Sequence, residues 1–429
     1  MRKAGRLKRL PFWEIGVLDL NEGKPRRMIE GSMAVKAEGR YWMSATRERN
    51  WTSFNSGKLF AHYERWKLIQ RSGECPPPAL ITVDPANCCN LSCEWCNAWK
   101  VRQNERMLSR KVLLDFAGMA SEWKSHGGKY GVEAVCIAGG GEPLCNPHVG
   151  EFLYELNRKQ IDTATVTNGT LIDKYAEELL SSQYVAVSVD AANASTFNKY
   201  KGLDKESRVF DKVIDNMEML CRISRGKKCN LSKESPSNGV NYRMLLYKDN
   251  IGEISEAARI AQDIGCKSLH IRPAGIPYDL KHEFSFTEEE LELFREQVSI
   301  VERTKKSGFG FYYTLGKFNE KFQKCNDFKS CYAIFMTATL MPASGESGDD
   351  AYCLNVCCDR RSDERMKLLS NETDIREIAR SWGKDGHWKI FDMISSDEIK
   401  HICPRCTYYE HNKIVENCIL NDNMLIHFI

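Results

Sequence analysis

The sequence predicts an α/β protein: a partial (β/α)6 parallel barrel, preceded by an N-terminal extension and followed by a cysteine-rich C-terminal domain. Three observations predict it. Between Ala79 and Gly275 short apolar runs alternate with amphipathic stretches. Glycine, cysteine and polar motifs fall directly after the apolar runs, where parallel sheets place their ligands. After a long helical stretch, Glu288 to Lys306, the texture turns to cysteines with Gly and Asp turns.

The strand candidates, in order, are Leu80 to Val83, Val132 to Ala138, Thr163 to Thr167, Val185 to Val189, Tyr242 to Tyr247 and Ser268 to Arg272. Each is short, rich in β-branched or aromatic residues and bounded by turn formers. Between them Met107 to Lys124, Val149 to Lys159, Lys174 to Ser182, Phe210 to Ser224 and Ile254 to Ile264 carry apolar residues at helical spacing. Strands joined through helical crossovers run parallel and wind right-handed, so six βα units give a curved sheet, open or partly closed. The polar stretch Gly226 to Gly239 reads as an exposed loop. The expected domains are residues 1–77 as the extension, ended by Pro76-Pro77-Pro78, 78–287 as the core, 288–324 as a connecting helical segment and 325–429 as the C-terminal domain.

With 429 residues, 42% of them hydrophobic, wholesale disorder is excluded and a sizeable core is affordable. The formal net charge of +3 argues for neither nucleic acid nor an acidic membrane. No apolar run is long enough to span a bilayer, and the basic start, Arg2 to Arg9, lacks the apolar segment of a signal peptide. A cytoplasmic protein is the expectation. In a reducing compartment 18 cysteines are there for metal or redox chemistry, not for disulfides.

After the first strand comes Asp84-Pro85-Ala86-Asn87-Cys88-Cys89-Asn90-Leu91-Ser92-Cys93-Glu94-Trp95-Cys96, in which Cys89, Cys93 and Cys96 are spaced C-x3-C-x2-C. A chain of this composition yields such a triplet by chance about 0.03 times. Three thiolates on one loop can hold three irons of a [4Fe-4S] cube and leave the fourth open to an outside ligand. A zinc knuckle is the competing reading, but zinc wants four ligands in a closed set, and the adjacent Cys88 is poorly placed to be the fourth.

The loop resembles the defining motif of the radical S-adenosylmethionine (SAM) superfamily, including the aromatic, Trp95, before the last cysteine. The resemblance covers Ala79 to Gly275. Gly139-Gly140-Gly141-Glu142-Pro143 after the second strand is similar to the family's GGE(P) motif, which implies contact with the methionine amino group of SAM. Glycines there let backbone approach a ligand closely. Asn168, in Thr167-Asn168-Gly169, and Ser188 and Asp190, at the end of the fourth strand, stand where related enzymes contact SAM or substrate; as plain residues they could equally form a turn or cap a helix. Arg243 and Arg272, on the last two strands, could clamp a carboxylate or phosphate.

In the C-terminal stretch Cys331, Cys353, Cys403 and Cys406 offer four ligands, with Cys325, Cys357 and Cys358 as alternates. The pattern resembles the Twitch/SPASM class of auxiliary [4Fe-4S] domains in the short, single-cluster form; a zinc ribbon is the competing reading. The resemblance implies a first [4Fe-4S] cluster that cleaves SAM to a 5'-deoxyadenosyl radical, an auxiliary [4Fe-4S] cluster, and an external one-electron donor such as flavodoxin or ferredoxin. The expected function is a radical SAM oxidoreductase performing a two-electron oxidation of a small molecule such as a sugar, cyclitol or nucleotide. Maturation of a ribosomal precursor peptide and RNA modification are the alternatives. The last rests on the basic start, Arg26-Arg27 and Trp42, Trp51 and Trp66, which read better as a solvated face and ordinary core aromatics.

Overall fold

The computed structural model describes residues 56–233, 238–274, 286–313, 328–345, 348–395, 402–403 and 406–420. The expected extension up to residue 55, most of the Gly226 to Gly239 loop's apex and Cys325 lie outside the described residues.

All six expected strands are present. They are β1 (Leu80–Val83), β2 (Ala134–Ile137), β3 (Asp162–Thr167), β4 (Tyr184–Ser188), β5 (Gly239–Leu246) and β6 (Ser268–Pro273), each pairing in parallel with the next in that order. A seventh, β7 (Gly310–Tyr313), adds in parallel to β6. At the other edge β8 (Thr337–Pro342) pairs in parallel with β1, and β9 (Tyr352–Asn355) and β10 (Lys367–Glu372) continue antiparallel, for a sheet of ten strands. The cysteine-rich segment therefore extends the core's own sheet. Without β8 the apolar β1 would present an unpaired edge, which open sheets rarely tolerate.

Alternation along the strands sorts the faces. Ile81 and Val83, Val135 and Ile137, Val185 and Val187, and Tyr242, Met244 and Leu246 join helical residues such as Phe116, Phe152, Leu153, Met217 and Leu220 in one buried cluster. The alternate positions, among them Thr82, Cys136, Arg243, His270 and Arg272, consequently point to the opposite face. The covering helices include α1 (Arg110–Glu122), α2 (Val149–Arg158), α3 (Val209–Arg225) and α4 (Ile254–Asp263); three lie within stretches the periodicity picked out, and α3 exceeds its stretch by one residue at each end. Ser109 caps α1 by accepting the Val112 N–H. The connecting helix, α5 (Glu288–Thr304), begins with a capping box between Thr287 and Glu290. Among the described residues no helix is long and apolar enough to cross a membrane.

Candidate functional site

The Cys89 loop is held from three sides. Glu142 N donates to Cys88 O at 2.9 Å and Gly141 N to Ala86 O at 2.8 Å, which docks the glycine motif on the loop. A Cβ on Gly141 would stand 1.9 Å from Cys88 O, one on Gly140 2.7 Å from Asn87 Oδ1, and one on Gly139 2.0 Å from Gly141 O. Close backbone approach thus dictates Gly139 and Gly141, and at Gly140 the room is taken by the Asn87 and Val101 side chains. On the second side, Ser92 N donates to Lys201 O and Glu94 N to Tyr200 O, at the end of a helix over Ala194–Lys201. That helix stops at Gly202, φ +67°, where a Cβ would meet Ser92 O at 2.4 Å. On the third, Arg102 donates to Leu91 O at 2.5 Å.

The thiols share this enclosure with two cations. Burial pushes Cys89 up to about 11 and also raises Cys93, each against the pull of Arg102, with Lys201 pulling hardest on Cys93. Arg102 in turn hydrogen-bonds Cys96, and its Nε is buried with no hydrogen-bond partner. Thiols in such a setting ionise only against a further positive charge, which a bound metal would supply. Among the described residues no three His, Cys, Asp or Glu side chains converge on the position of a single ion; a cube places each thiolate on a different iron and asks for no such point.

The other residues singled out from the sequence fall around this loop in different ways. Asn168 is directed at it: Nδ2 lies 3.9 Å from Cys89 Sγ and donates to Asn90 Oδ1 at 2.8 Å. Glu142 turns inward, accepting from Asn168 N at 2.7 Å, Thr167 Oγ1 at 2.7 Å and Leu144 N at 3.1 Å. Burial raises its carboxyl to about 6 despite these donors. Pro143 opens the short turn Pro143–Cys145 that follows. Asp190, at φ +65°, pairs with buried Lys201 at 2.5 Å and accepts Leu245 N at 2.8 Å; Lys201 also donates to Ser188 O at 2.8 Å. Trp95 packs on Tyr247, ring centroids 5.7 Å apart, and Tyr247 stacks on Tyr200 at 4.3 Å.

The C-terminal thiols divide. Cys331, Cys403 and Cys406 belong to one apolar cluster, and Asn412 Nδ2 lies 3.9 Å from Cys331 Sγ and 3.8 Å from Cys406 Sγ. Burial raises Cys331 to about 12, Cys403 to about 11 and Cys406 well above its usual value, Cys331 and Cys406 each also feeling Cys403. Cys357 is raised first by burial and then by the charges of Cys358, Asp359, Cys403 and Cys331. Cys353, expected in this set, is instead fully buried on β9 among Ala98, Val101, Met341, Ala343 and Ala351, with Cys96 against the same cluster. The strand explains the placement: Cys353 pairs with Met341 in the β8–β9 ladder and so points to the Cys96 side.

Five residues that matter here were not legible beforehand: Arg102, Lys201, Tyr247, Arg361 and Asn412. Arg361 binds Asp84 through Nε and through Nη2, the latter at 3.1 Å, and donates to Cys358 O. Asp84 is fully buried at the end of β1, so this ion pair ties the start of the first cysteine loop to the second. Asn97, Lys100, Asp359 and Arg361 line a small cleft between the same two loops. Only Arg102 carried a local signal, a cation six residues beyond the last cysteine of the triplet, at the end of the short helix Trp99–Arg102.

Residues 83–229 match the family model of the Radical SAM superfamily. The chain carries a radical SAM domain, the class of enzyme that works with a [4Fe-4S] cluster and S-adenosylmethionine. It is similar to the antilisterial bacteriocin subtilosin biosynthesis protein AlbA of Bacillus subtilis (strain 168), 24% identical over 46% of this chain and 40% of that protein. A probable GTP 3',8-cyclase of Saccharolobus islandicus is 24% identical over 58% of this chain and 74% of its own length. The chain thus spans less than half of AlbA. In fold it resembles Streptococcus suis SuiB bound to precursor peptide SuiA, with TM-score 0.55, 15% identity, and 79% and 72% of the two chains covered.

Proposed function

We propose that the chain is an oxidising radical SAM enzyme with two iron-sulfur clusters, acting on a small molecule. Cys89, Cys93 and Cys96 would hold the first cluster, and Cys331, Cys357, Cys403 and Cys406 the second, with residues 78–287 as the catalytic core and 325–429 carrying the second cluster. Such a first cluster supplies the electron that splits S-adenosylmethionine and yields a 5'-deoxyadenosyl radical able to take hydrogen from a C–H bond. The chain's own residues bind, orient and exclude water. Backbone of Gly139 to Gly141 walls the cysteine loop, with Glu142 and Pro143 fixing its exit; Asn168 is aimed at Cys89, Trp95 backs the loop, and Ser188 and Asp190 set Lys201 beside Cys93.

The observation that carries this reading is the pair of separate thiol groups joined by the Asp84–Arg361 ion pair. A second metal group beside the substrate face gives an electron acceptor, which turns hydrogen abstraction into a net two-electron oxidation; a flavodoxin or ferredoxin would deliver the initiating electron. The test is anaerobic reconstitution followed by dithionite and S-adenosylmethionine. Iron and sulfide should load, and 5'-deoxyadenosine should form. Cys89→Ala, Cys93→Ala and Cys96→Ala should each abolish its formation, while Cys406→Ala should spare it and block substrate oxidation. Equal loss of both reactions in Cys406→Ala would refute the division of roles.

Peptide maturation is the second reading, favoured by the similarity to AlbA and by SuiB, whose structure holds its precursor peptide. A short precursor gene beside this one, and a mass change in its product on incubation with the enzyme, would select that reading over the small molecule.

A further inference from the structure

Asn412 is a fully buried amide in apolar surroundings. It sits on the helix Tyr409–Ile414, after Cys406, and that helix packs Tyr409 and Ile414 on the same apolar cluster that takes Cys331, Cys403 and Cys406. An amide buried in such a place costs free energy unless its oxygen and both its hydrogens are paired, and a leucine of similar size would fill the position without that cost. The partners of the amide therefore say what it is for.

The oxygen faces the backbone. Asn412 Oδ1 accepts the N–H of Ala333 at 3.0 Å, in the turn Tyr332–Phe335 that follows Cys331. A backbone N–H can only donate, which fixes the orientation of the amide and turns Nδ2 the other way. Among the described residues Nδ2 meets two acceptors, Cys331 Sγ at 3.9 Å and Cys406 Sγ at 3.8 Å, one for each of its hydrogens. Asn412 thus ties the turn after Cys331 to the helix after Cys406 with its oxygen, and addresses both thiols with its nitrogen.

We propose that Asn412 is a positioning residue of the second centre: its amide donates one hydrogen bond to each of Cys331 and Cys406 and so raises the reduction potential of the cluster these thiolates hold. The inference rests on the two-cluster reading above and adds what makes the second cluster an electron acceptor. A cube held by four thiolates becomes more negative when it gains an electron, and apolar surroundings resist that charge. N–H donors to ligand sulfur stabilise the reduced form more than the oxidised one, which moves the potential up. Backbone donors join Asn412 in this: Ile334 N and Ala333 N also bear on Cys331, and Tyr408 N on Cys406. Asn412 is the side chain that serves two of the thiols at once.

Reconstituted holoenzyme is titrated anaerobically against redox mediators and read by electron paramagnetic resonance. The second cluster's signal is the one that S-adenosylmethionine leaves unchanged, because the chain would ligate all of its irons. Asn412→Leu removes both donors and adds no charge. Asn412→Asp keeps the shape and the oxygen for Ala333 N–H but puts a second oxygen where the amino group stood, so it remains informative if the leucine variant does not fold. Both variants should load full iron and form 5'-deoxyadenosine like the wild type, with the first cluster's potential unmoved. In both, the second cluster's reduced-to-oxidised ratio at a fixed potential should fall about tenfold, which is about 59 mV for one electron. An unchanged potential in the two variants overturns the proposal. Loss of the second cluster's iron from Asn412→Asp also overturns it, since the residue would then be a strut of the site. Wild-type iron and sulfide sufficient for only one cluster would instead sink the two-cluster reading, and the role of Asn412 with it.

Discussion

The Glu142 carboxylate accepts the backbone N–H of Asn168 at 2.7 Å, locking the end of β2 to the end of β3 directly behind the cysteine loop. Every partner of that carboxylate is a donor, yet burial still lifts it to about 6, above its ordinary value of 4.5. A raised folded-state value means the native protein holds the proton more tightly than the unfolded chain does. Its contribution is therefore fully present below about pH 4.5 and lost as pH rises through about 6, a difference of about 2 kcal/mol. Glu142→Gln has no such titration. Denaturant unfolding from pH 4 to pH 7 should show wild-type stability falling relative to Glu142→Gln across that window, and a constant gap would refute the buried carboxyl's role.

Gly141→Ala should disable the cysteine loop. The added Cβ would stand 1.9 Å from Cys88 O, backbone against backbone, so the two motifs must separate. The reconstituted variant is expected to retain little of the first cluster's iron. Gly118→Ala is the control: on α1, with nothing within 4 Å of the new Cβ, it should load normally and gain about 0.5–1 kcal/mol of stability. Normal iron loading in Gly141→Ala would show that the loop does not need the close approach.

The sheet and the first loop were legible because both are written locally. Alternation from Leu80 to Val83 or Ser268 to Arg272 reports a strand without reference to anything distant, and the triplet Cys89, Cys93 and Cys96 lies within eight residues. What escaped depends on partners far along the chain. Asp84 meets Arg361 across 277 positions, and β8 joins β1 across more than 250, so neither leaves a periodic trace. Cys353 misled for a related reason. Spacing cannot tell which face of a strand a thiol takes, and a one-residue difference in register moves a side chain to the other face.

The second thiol group gives a direct comparison. Cys357 feels the charges of Cys403 and Cys331, whereas Cys353 packs among Met341, Ala343 and Ala351. Cys357→Ala should lose about half of the protein's iron on reconstitution while still forming 5'-deoxyadenosine. Cys353→Ala should keep its full iron and lose about 1 kcal/mol or more of stability from a small cavity. The opposite pattern of iron loss would return Cys353 to the ligand set.

Lys201 and Asp190 form a buried ion pair beside the first loop, the two side chains 3% and 8% exposed and 2.5 Å apart. Desolvation is the largest influence on Lys201, working against its charge, but Asp190 and the thiols of Cys93 and Cys89 more than offset it and raise its pKa. The ammonium thus stays protonated across the working pH range and faces the thiols. Lys201→Met leaves Asp190 buried without its partner and should cost about 3–5 kcal/mol. Lys201→Met with Asp190→Leu removes both charges and should recover most of that loss, giving a coupling well above 1 kcal/mol in a double-mutant cycle. Recovery of stability need not restore the centre. With no ammonium beside Cys93, a cluster on this loop gains an electron less readily, so the double variant should fold, load iron and show a lowered reduction potential in an electron paramagnetic resonance titration. An unchanged potential would confine Lys201 to holding the helix end in place.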